Sequence, residues 1–190
     1  MRYERALERH SQPLNGAGRD ANAACILSSG RNCWRLAHAE QARVLVDGSL
    51  YFDALDRALR GARRSIIIIG WDFDGRIRLR PDREGDPELG SLLRALVEAR
   101  NELRVTILVW SISVLHAPGA VAPMLIGADW QDHPRIRVKL DTRHPLYGAH
   151  HQKIVCIDGQ LAFAGGIDLT VHRWETSDHE PENPLRRSPE

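Results

Sequence analysis

The chain has 190 residues, of which 43% are hydrophobic, and its 26 basic and 25 acidic side chains leave a formal net charge of +1. This length and hydrophobic content suit one globular domain with a real core and exclude an intrinsically disordered chain. The balanced charge gives no global reason to expect nucleic acid or an acidic surface as a partner. Any binding of anions must therefore be local.

The cysteines and the apolar runs bear on the compartment. Cys25, Cys33 and Cys156 are odd in number and form no CxxC pair, which argues against a disulfide framework and favours a reducing compartment. The start, MRYERALERHSQPLNG, lacks the apolar segment of a signal peptide. The longest strongly apolar run, Ile66–Ile69, is too short to span a bilayer. We expect a cytoplasmic protein that can also lie peripherally at a membrane.

The first regular elements alternate between strand and helix. ARVLVDG (42–48) predicts a short strand that ends in a turn. SLYFDALDRALRGA (49–62) has apolar residues at helical spacing and predicts a helix, which Asp47 or Ser49 can cap. The β-branched run SIIIIGWDF (65–73) predicts a strand that is buried on both faces.

The same alternation continues along the chain. DPELGSLLRALVEAR (86–100) places its leucines on one helical face and predicts a helix with Asp86 as its N-cap. LRVTILVW (103–110) and RIRVKLD (135–141) predict two further strands. The segment between them, 111–132, predicts a loop and a short helix that can wall a cleft.

The last element is a predicted hairpin. KIVCIDGQLAFAGG (153–166) has two apolar runs separated by Asp158-Gly159, a strong hairpin signal. Strands that alternate with helices predict an α/β fold with a central, mixed but mostly parallel sheet flanked by helices. We expect a flexible arm over 1–30, one domain over 31–179 and a disordered tail over 180–190, because the two ends are polar and rich in small residues or proline.

The chemistry is concentrated in the stretch HHQKIVCIDGQLAFAGGIDL. Residues two apart in an extended strand point to the same face, so His151 and Lys153 are expected to project together. An imidazole beside an ammonium suits an anion, above all a phosphate. Gly165 and Gly166 allow their backbone N–H groups to approach a ligand, and Asp168 follows at the same end of the sheet. These groups are the ones that phosphodiester cleavage can use.

This stretch resembles the HKD motif of the phospholipase D superfamily. The order is His-x-Lys, four residues, Asp, six residues, Gly-Gly, one residue and an acid. The positions that match are His151, Lys153, Asp158, Gly165, Gly166 and Asp168. The flanking stretches RVLVDGSLYFDALDRALRGARRSIIIIGWDFD and GGIDLTVHRWETSDH are similar to the opening and the continuation of the same domain, so the resemblance covers Asn32 to His179.

The resemblance implies a two-step reaction that needs no metal and no other cofactor. In the family, one histidine attacks phosphorus to form a phosphohistidine, and a histidine from a second motif protonates the leaving alcohol. Water or another alcohol then takes the phosphoryl group. By this resemblance, His151 is the nucleophile or the general acid. Lys153, with Gly165 and Gly166, binds the phosphate oxygens.

Four carboxylates near the motif have different expected roles. Asp158 is a catalytic candidate because the motif includes it, although an Asp-Gly turn explains it without any chemistry. Asp168 belongs to the phosphate-binding set, but its charge would repel a diester, so it is expected to orient the lysine or the histidine of the motif; a helix cap is the alternative. Glu175 or Asp178 can orient the histidine ring, and the sequence does not choose between them.

Residues outside the motif are open to simpler explanations. Trp71, Asp72 and Asp74 follow a predicted buried strand, where loops often line a site, and a role in a cleft is left open. Cys156 is expected to be a small buried apolar residue. His116, His133 and His144 show no metal-ligand spacing, so no metal site is expected.

The motif occurs once, whereas the chemistry needs two histidines. The second can come from a missing half of a longer protein or from a symmetric homodimer, and we expect the N-terminal half or a fragment of a phospholipase D-like protein. The expected function is hydrolysis or exchange of a phosphodiester, with a phospholipid as the favoured substrate. The alternatives are a homodimeric endonuclease, which the near-neutral charge disfavours, and an inert half-domain that binds phosphate ligands or a partner chain.

Overall fold

The computed structural model describes residues 26–110, 128–145 and 148–186. The chain divides into two compact units between Val46 and Asp47. All helices and strands of the described residues belong to the second unit. Most of the predicted arm, residues 111–127 of the predicted cleft wall and the last four residues of the predicted tail lie outside the described part of the chain.

The described residues of the first unit, 26–46, form a tight turn followed by a chain without regular structure. The turn is closed by the N–H of Gly30, which donates to the carbonyl of Cys33 at 2.7 Å. The prediction of a strand over ARVLVDG is wrong, because no described strand pairs with these residues. Its side chains Val44 and Val46 are 67% and 46% exposed.

Two helices form where helical spacing predicts them. Helix α1 spans Asp47–Gly61 and helix α2 spans Leu89–Ala99. The apolar residues that they bury belong to one hydrophobic cluster, which includes Phe52, Leu55, Leu59, Leu89, Leu93 and Val97. Within the described ranges, no helix is both long and apolar enough to cross a membrane.

Helix α2 begins later than the sequence predicts. Its N-cap position is Glu88, which makes no side-chain capping bond. The predicted cap, Asp86, is buried and accepts the backbone N–H of Arg80 at 2.8 Å instead. Burial raises the pKa of Asp86 above its usual value. The capping prediction is therefore wrong, because this carboxylate fixes the loop before the helix rather than the helix itself.

The described strands form one five-stranded sheet. They are β1 (Ser65–Gly70), β2 (Arg104–Trp110), β3 (Ile136–Asp141), β4 (Lys153–Ile157) and β5 (Leu161–Gly165). The spatial order is β3-β2-β1-β4-β5; the first three strands run parallel to one another, and β4 is antiparallel to both β1 and β5. This confirms the predicted α/β class with a mixed sheet and the predicted hairpin.

The strand directions bring several chain segments to one edge of the sheet. The parallel strands β1, β2 and β3 end there, β4 begins there and β5 ends there. The register agrees, since Trp110 lies opposite Asp141 and Lys153 lies opposite Gly165. We call this edge the carboxyl edge. In a parallel sheet it is the usual place for ligands.

The two faces of the sheet are covered unequally by the described residues. In β1, Ile66 and Ile68 are 0% and 2% exposed, whereas Ile67 is 40% exposed. The buried pair belongs to the same cluster as the apolar residues of both helices. The prediction that β1 is buried on both faces is therefore wrong for the described part of the chain, because α1 and α2 pack their apolar residues against the same face.

The turn between β4 and β5 lies at the edge of the sheet opposite the carboxyl edge, where it binds the residues at the start of β1. Asp158 and Gly159 have φ angles of 55° and 67°, which suit an Asp-Gly turn. The carboxylate of Asp158 accepts the backbone N–H groups of Arg63, Arg64 and Ser65 at 2.9, 2.7 and 2.8 Å. The bond from Ser65, followed by those from Arg64 and Arg63, lowers the pKa of Asp158. The carboxylate thus joins the hairpin to the start of β1.

Trp130 packs closely over two glycines. A Cβ atom at Gly90, in the first turn of α2, would lie 2.6 Å from the indole, and one at Gly75 would lie 2.8 Å from it. The indole also packs against Phe73, with ring centroids 6.0 Å apart. The close approach is possible only because neither glycine has a side chain.

We expect Gly90→Ala to lower the free energy of unfolding by about 1–3 kcal/mol, because the indole must move to admit the methyl group. Urea unfolding followed by circular dichroism measures the change. Gly61→Ala is the matched control, since a Cβ atom at this last residue of α1 meets nothing within 4 Å. Equal losses at both positions would contradict the packing argument.

We expect Asp158→Asn to cost about 1–3 kcal/mol at pH 7, because hydrogen bonds to a charged acceptor are stronger than those to a neutral one. The folded state lowers the pKa of this carboxyl, so its contribution is present above the ordinary value of about 4 and is lost as pH falls through the lowered pKa. Urea unfolding between pH 7 and pH 3 should show the two proteins converging. Asp178→Asn, at an exposed position, should leave stability unchanged; a difference at Asp158 that persists at low pH would count against the charge argument.

Candidate functional site

A buried ion pair lies at the carboxyl edge. Lys153 is the first residue of β4, and Asp168 follows the end of β5. Their side chains are 6% and 5% exposed, and Nζ of the lysine lies 3.2 Å from Oδ2 of the aspartate. Because each buried charge needs the other, the carboxylate holds the ammonium in place.

The same carboxylate also binds the loop after β1. Oδ1 of Asp168 accepts the backbone N–H groups of Trp71 and Asp72 at 2.9 and 3.3 Å. A Cβ atom at Gly70 would lie 3.1 Å from this oxygen and 2.8 Å from the carbonyl oxygen of Asp72. One carboxylate therefore joins the ends of β1 and β5 to the start of β4.

The loop after β1 has further polar contacts. Asp72, which the sequence left open for a cleft role, accepts the hydroxyl of Thr170 at 2.8 Å. Asp74 forms an ion pair with Arg76 at 2.8 Å, and its N–H donates to the carbonyl of Leu169 at 2.8 Å. The carboxylate of Asp72 and the backbone N–H of Asp74 thus attach the loop to the chain that follows β5.

His151 lies beside this ion pair but in a different environment. It is exposed, whereas Lys153 is buried. Nζ of Lys153 donates to the carbonyl oxygen of His151 at 3.2 Å, so the described contact between the two residues involves the backbone of the histidine. The imidazole itself is left at the surface, where a substrate can reach it.

Four aromatic rings follow one another along the carboxyl edge. His151 contacts Trp71 with centroids 6.1 Å apart and planes at 69°, which is an edge-to-face arrangement. Trp71 stacks on Trp110 at 5.3 Å and 22°, and Trp110 contacts His144 at 5.9 Å. We call these rings the aromatic row. The sequence left a cleft role open for Trp71, because it follows a predicted buried strand, and gave no reason to pair it with Trp110.

The two glycines of the motif leave open space beside the ion pair. Gly165 lies opposite Lys153 in the hairpin. Both Gly165 and Gly166 are exposed, and a Cβ atom at either position would meet no atom within 4 Å. The described residues therefore do not crowd this point, and a ligand has room to approach the backbone.

Three of the predicted site residues have no described contact with His151. Asp158 is at the opposite end of β4, where it binds the residues before β1. Glu175 pairs with Arg186 at 3.0 Å, and Asp178 is exposed. The described contacts thus bring His151 together with the lysine and the second aspartate of the motif, with Gly165 opposite the lysine, and include none between His151 and these three carboxylates.

Tyr51 is a residue that sequence reasoning missed. It lies on α1, lines a small pocket together with Lys153 and Asp168, and contacts Phe163 at 5.8 Å. Burial, with a further contribution from the charge of Asp168, raises the pKa of its hydroxyl well above the ordinary value. The phenol is therefore neutral, and its hydroxyl can donate or accept a hydrogen bond. Its place in an apolar helical stripe gave no signal beyond that of a core residue.

Within 26–110, 128–145 and 148–186, no cluster of three or more His, Cys, Asp or Glu side chains is arranged to hold a metal ion.

The chain is similar to several curated proteins, although no family model matches it. It is 34% identical to Phospholipase D B of Dictyostelium discoideum over 137 residues, which cover 70% of this chain and 11% of that protein. It is 33% identical to Phospholipase D1 of Rattus norvegicus over 147 residues and 32% identical to Phospholipase D zeta 1 of Arabidopsis thaliana over 148 residues. Each of these matches covers 73% of this chain and 13% of the relative.

The chain thus spans roughly an eighth of the length of these relatives, and the matches extend well beyond the motif. Together with the mixed α/β sheet, they identify the family: the chain belongs to the phospholipase D superfamily.

Proposed function

We propose that this chain supplies one motif of a phosphodiesterase site, in which His151 forms a bond to phosphorus or protonates the leaving alcohol. The observation that carries the proposal is the exposed imidazole next to the buried pair of Lys153 and Asp168. An accessible nucleophile beside a fixed cation is the arrangement that phosphoryl transfer requires.

Lys153 is the proposed ligand of the phosphate oxygens. An ammonium has three N–H donors, and the described contacts use two of them, for Asp168 and for the carbonyl of His151. A phosphate oxygen can take the third. The open backbone at Gly165 and Gly166 offers further N–H donors on the same side of the hairpin.

The reaction needs a second proton carrier. When the imidazole bonds to phosphorus, the bond to the leaving oxygen breaks and that oxygen requires a proton; general acid catalysis is typically worth about 10²–10⁴ in rate. The adjacent His150 is a poor candidate, because its ring nitrogens are buried and Nε2 lies 3.9 Å from a carboxylate oxygen of Asp141. We propose that a second motif, from another part of a longer protein or from a second copy of the chain, supplies this histidine.

A phospholipid is the proposed substrate class. The similar proteins are named as phospholipases D, and the formal charge of +1 offers little of the positive field that nucleic-acid binding requires. Hydrolysis and transfer to another alcohol differ only in the molecule that attacks the phosphohistidine. The geometry at His151 supports either outcome.

We expect His151→Ala to lower turnover of a phosphodiester by roughly a thousandfold or more, because the covalent step is lost. The assay measures head-group release from phospholipid vesicles over a range of protein concentrations, with mass spectrometry to detect the phosphohistidine. His38→Ala, at an exposed position that the motif does not include, is the matched control. EDTA should leave the rate unchanged. Turnover by His151→Ala near that of the control would refute the role of this histidine.

We expect Asp168→Asn to lower the free energy of unfolding by about 3–5 kcal/mol, because a buried ammonium loses its counter-charge. The double variant Lys153→Met/Asp168→Leu should regain part of this stability while remaining inactive. Urea unfolding and the vesicle assay separate the two effects. Activity in the double variant would exclude Lys153 as the phosphate ligand.

A further inference from the structure

We propose that Trp71 is a positioning residue, which holds the imidazole of His151 in the orientation required for attack on phosphorus. This inference rests on the proposed function of the histidine. It assigns to Trp71 a role that the motif itself does not include.

The imidazole has little other support. Among the described residues, no hydrogen bond or ion pair to its ring nitrogens is present, and its one ring contact is the edge-to-face contact with Trp71. An exposed side chain without such support samples several rotamers. A displacement of about 1 Å can reduce a catalytic rate by a factor on the order of 10². The indole is therefore the described group that can select one orientation of this ring.

Trp71 is itself held firmly. Its backbone N–H donates to Oδ1 of Asp168 at 2.9 Å, and its ring stacks on the ring of Trp110 with centroids 5.3 Å apart. The indole N–H of Trp110 donates in turn to the carbonyl of Gly148 at 3.3 Å. Both the backbone and the ring of Trp71 are therefore fixed by residues of the carboxyl edge.

The contacts form a closed circuit. The carboxylate of Asp168 binds the backbone of Trp71 and the ammonium of Lys153. That ammonium donates to the carbonyl of His151, and the contact between the two rings completes the circuit. Asp168 thus places the main chain of His151 through Lys153 and its imidazole ring through Trp71.

The geometry of the ring contact suits this task. Edge-to-face contacts depend on the relative orientation of the rings, so the indole can select a ring orientation. With Trp71 as the support, one nitrogen remains available to bond to phosphorus and the other to exchange a proton with solvent or substrate.

The test measures the position of the ring without relying on activity. In ¹H–¹³C spectra of the 190-residue chain, with the signal of His151 assigned from His151→Gln, its ring protons should be displaced by the ring current of Trp71. The reference is His38, which is exposed. Trp71→Leu should bring the His151 signals to the reference values, and Trp71→Phe should retain part of the displacement. Trp34→Leu removes an indole that is 87% exposed and should change nothing.

The kinetic measurement distinguishes the inference from the function on which it rests. In the vesicle assay, Trp71→Leu should lower kcat roughly 10- to 100-fold with little change in KM, because orientation rather than binding is lost. An undisplaced His151 signal in the unmodified chain, or an unchanged kcat in Trp71→Leu, would overturn the positioning role. If Trp71→Leu does not fold, Trp71→Phe carries the same test with a smaller effect. Undiminished activity in His151→Ala, with the ring signals still displaced, would instead overturn the proposed function.

Discussion

The carboxyl edge depends on one carboxylate, Asp168, which is buried and negatively charged. It balances the charge of Lys153 and accepts two backbone N–H groups from the residues that follow β1. Because a buried charge without partners costs several kcal/mol, the three segments that meet at this residue cannot separate independently. The arrangement of the exposed groups around them, including the imidazole of His151, is a consequence of this constraint.

Much of the fold follows from local patterns in the sequence. Helical spacing predicts α1 and α2, the β-branched runs predict β1 and β2, and Asp158-Gly159 predicts the hairpin; all five elements are present. The strand predicted over 42–48 fails because its alternating valines find no partner strand in the described chain. The cap predicted at Asp86 does not form, because the side chain of a residue before a helix can bind other backbone groups. Here the buried carboxylate accepts the backbone N–H of Arg80 instead.

Local sequence patterns predict only part of the candidate site. The motif names its histidine, lysine, glycines and aspartates, since their spacing along the chain is fixed. It cannot name Tyr51 or the stacking of Trp71 on Trp110, because these contacts join elements that are far apart in sequence. Apolar residues that follow strands look alike in a sequence, and only the order of the strands decides which of them become neighbours.

The place of Asp158 gives a reason for the fixed interval between the lysine and the first aspartate of the motif. Lys153 is the first residue of β4 and Asp158 follows its last residue, Ile157, so the two motif residues flank the strand at its two ends. Side chains alternate between the faces of a strand, and a slip of one residue would turn every side chain of β4 to the other face. By fastening one end of the strand to the N–H groups before β1, the aspartate prevents that slip, and the ammonium at the far end stays on the inner face of the sheet.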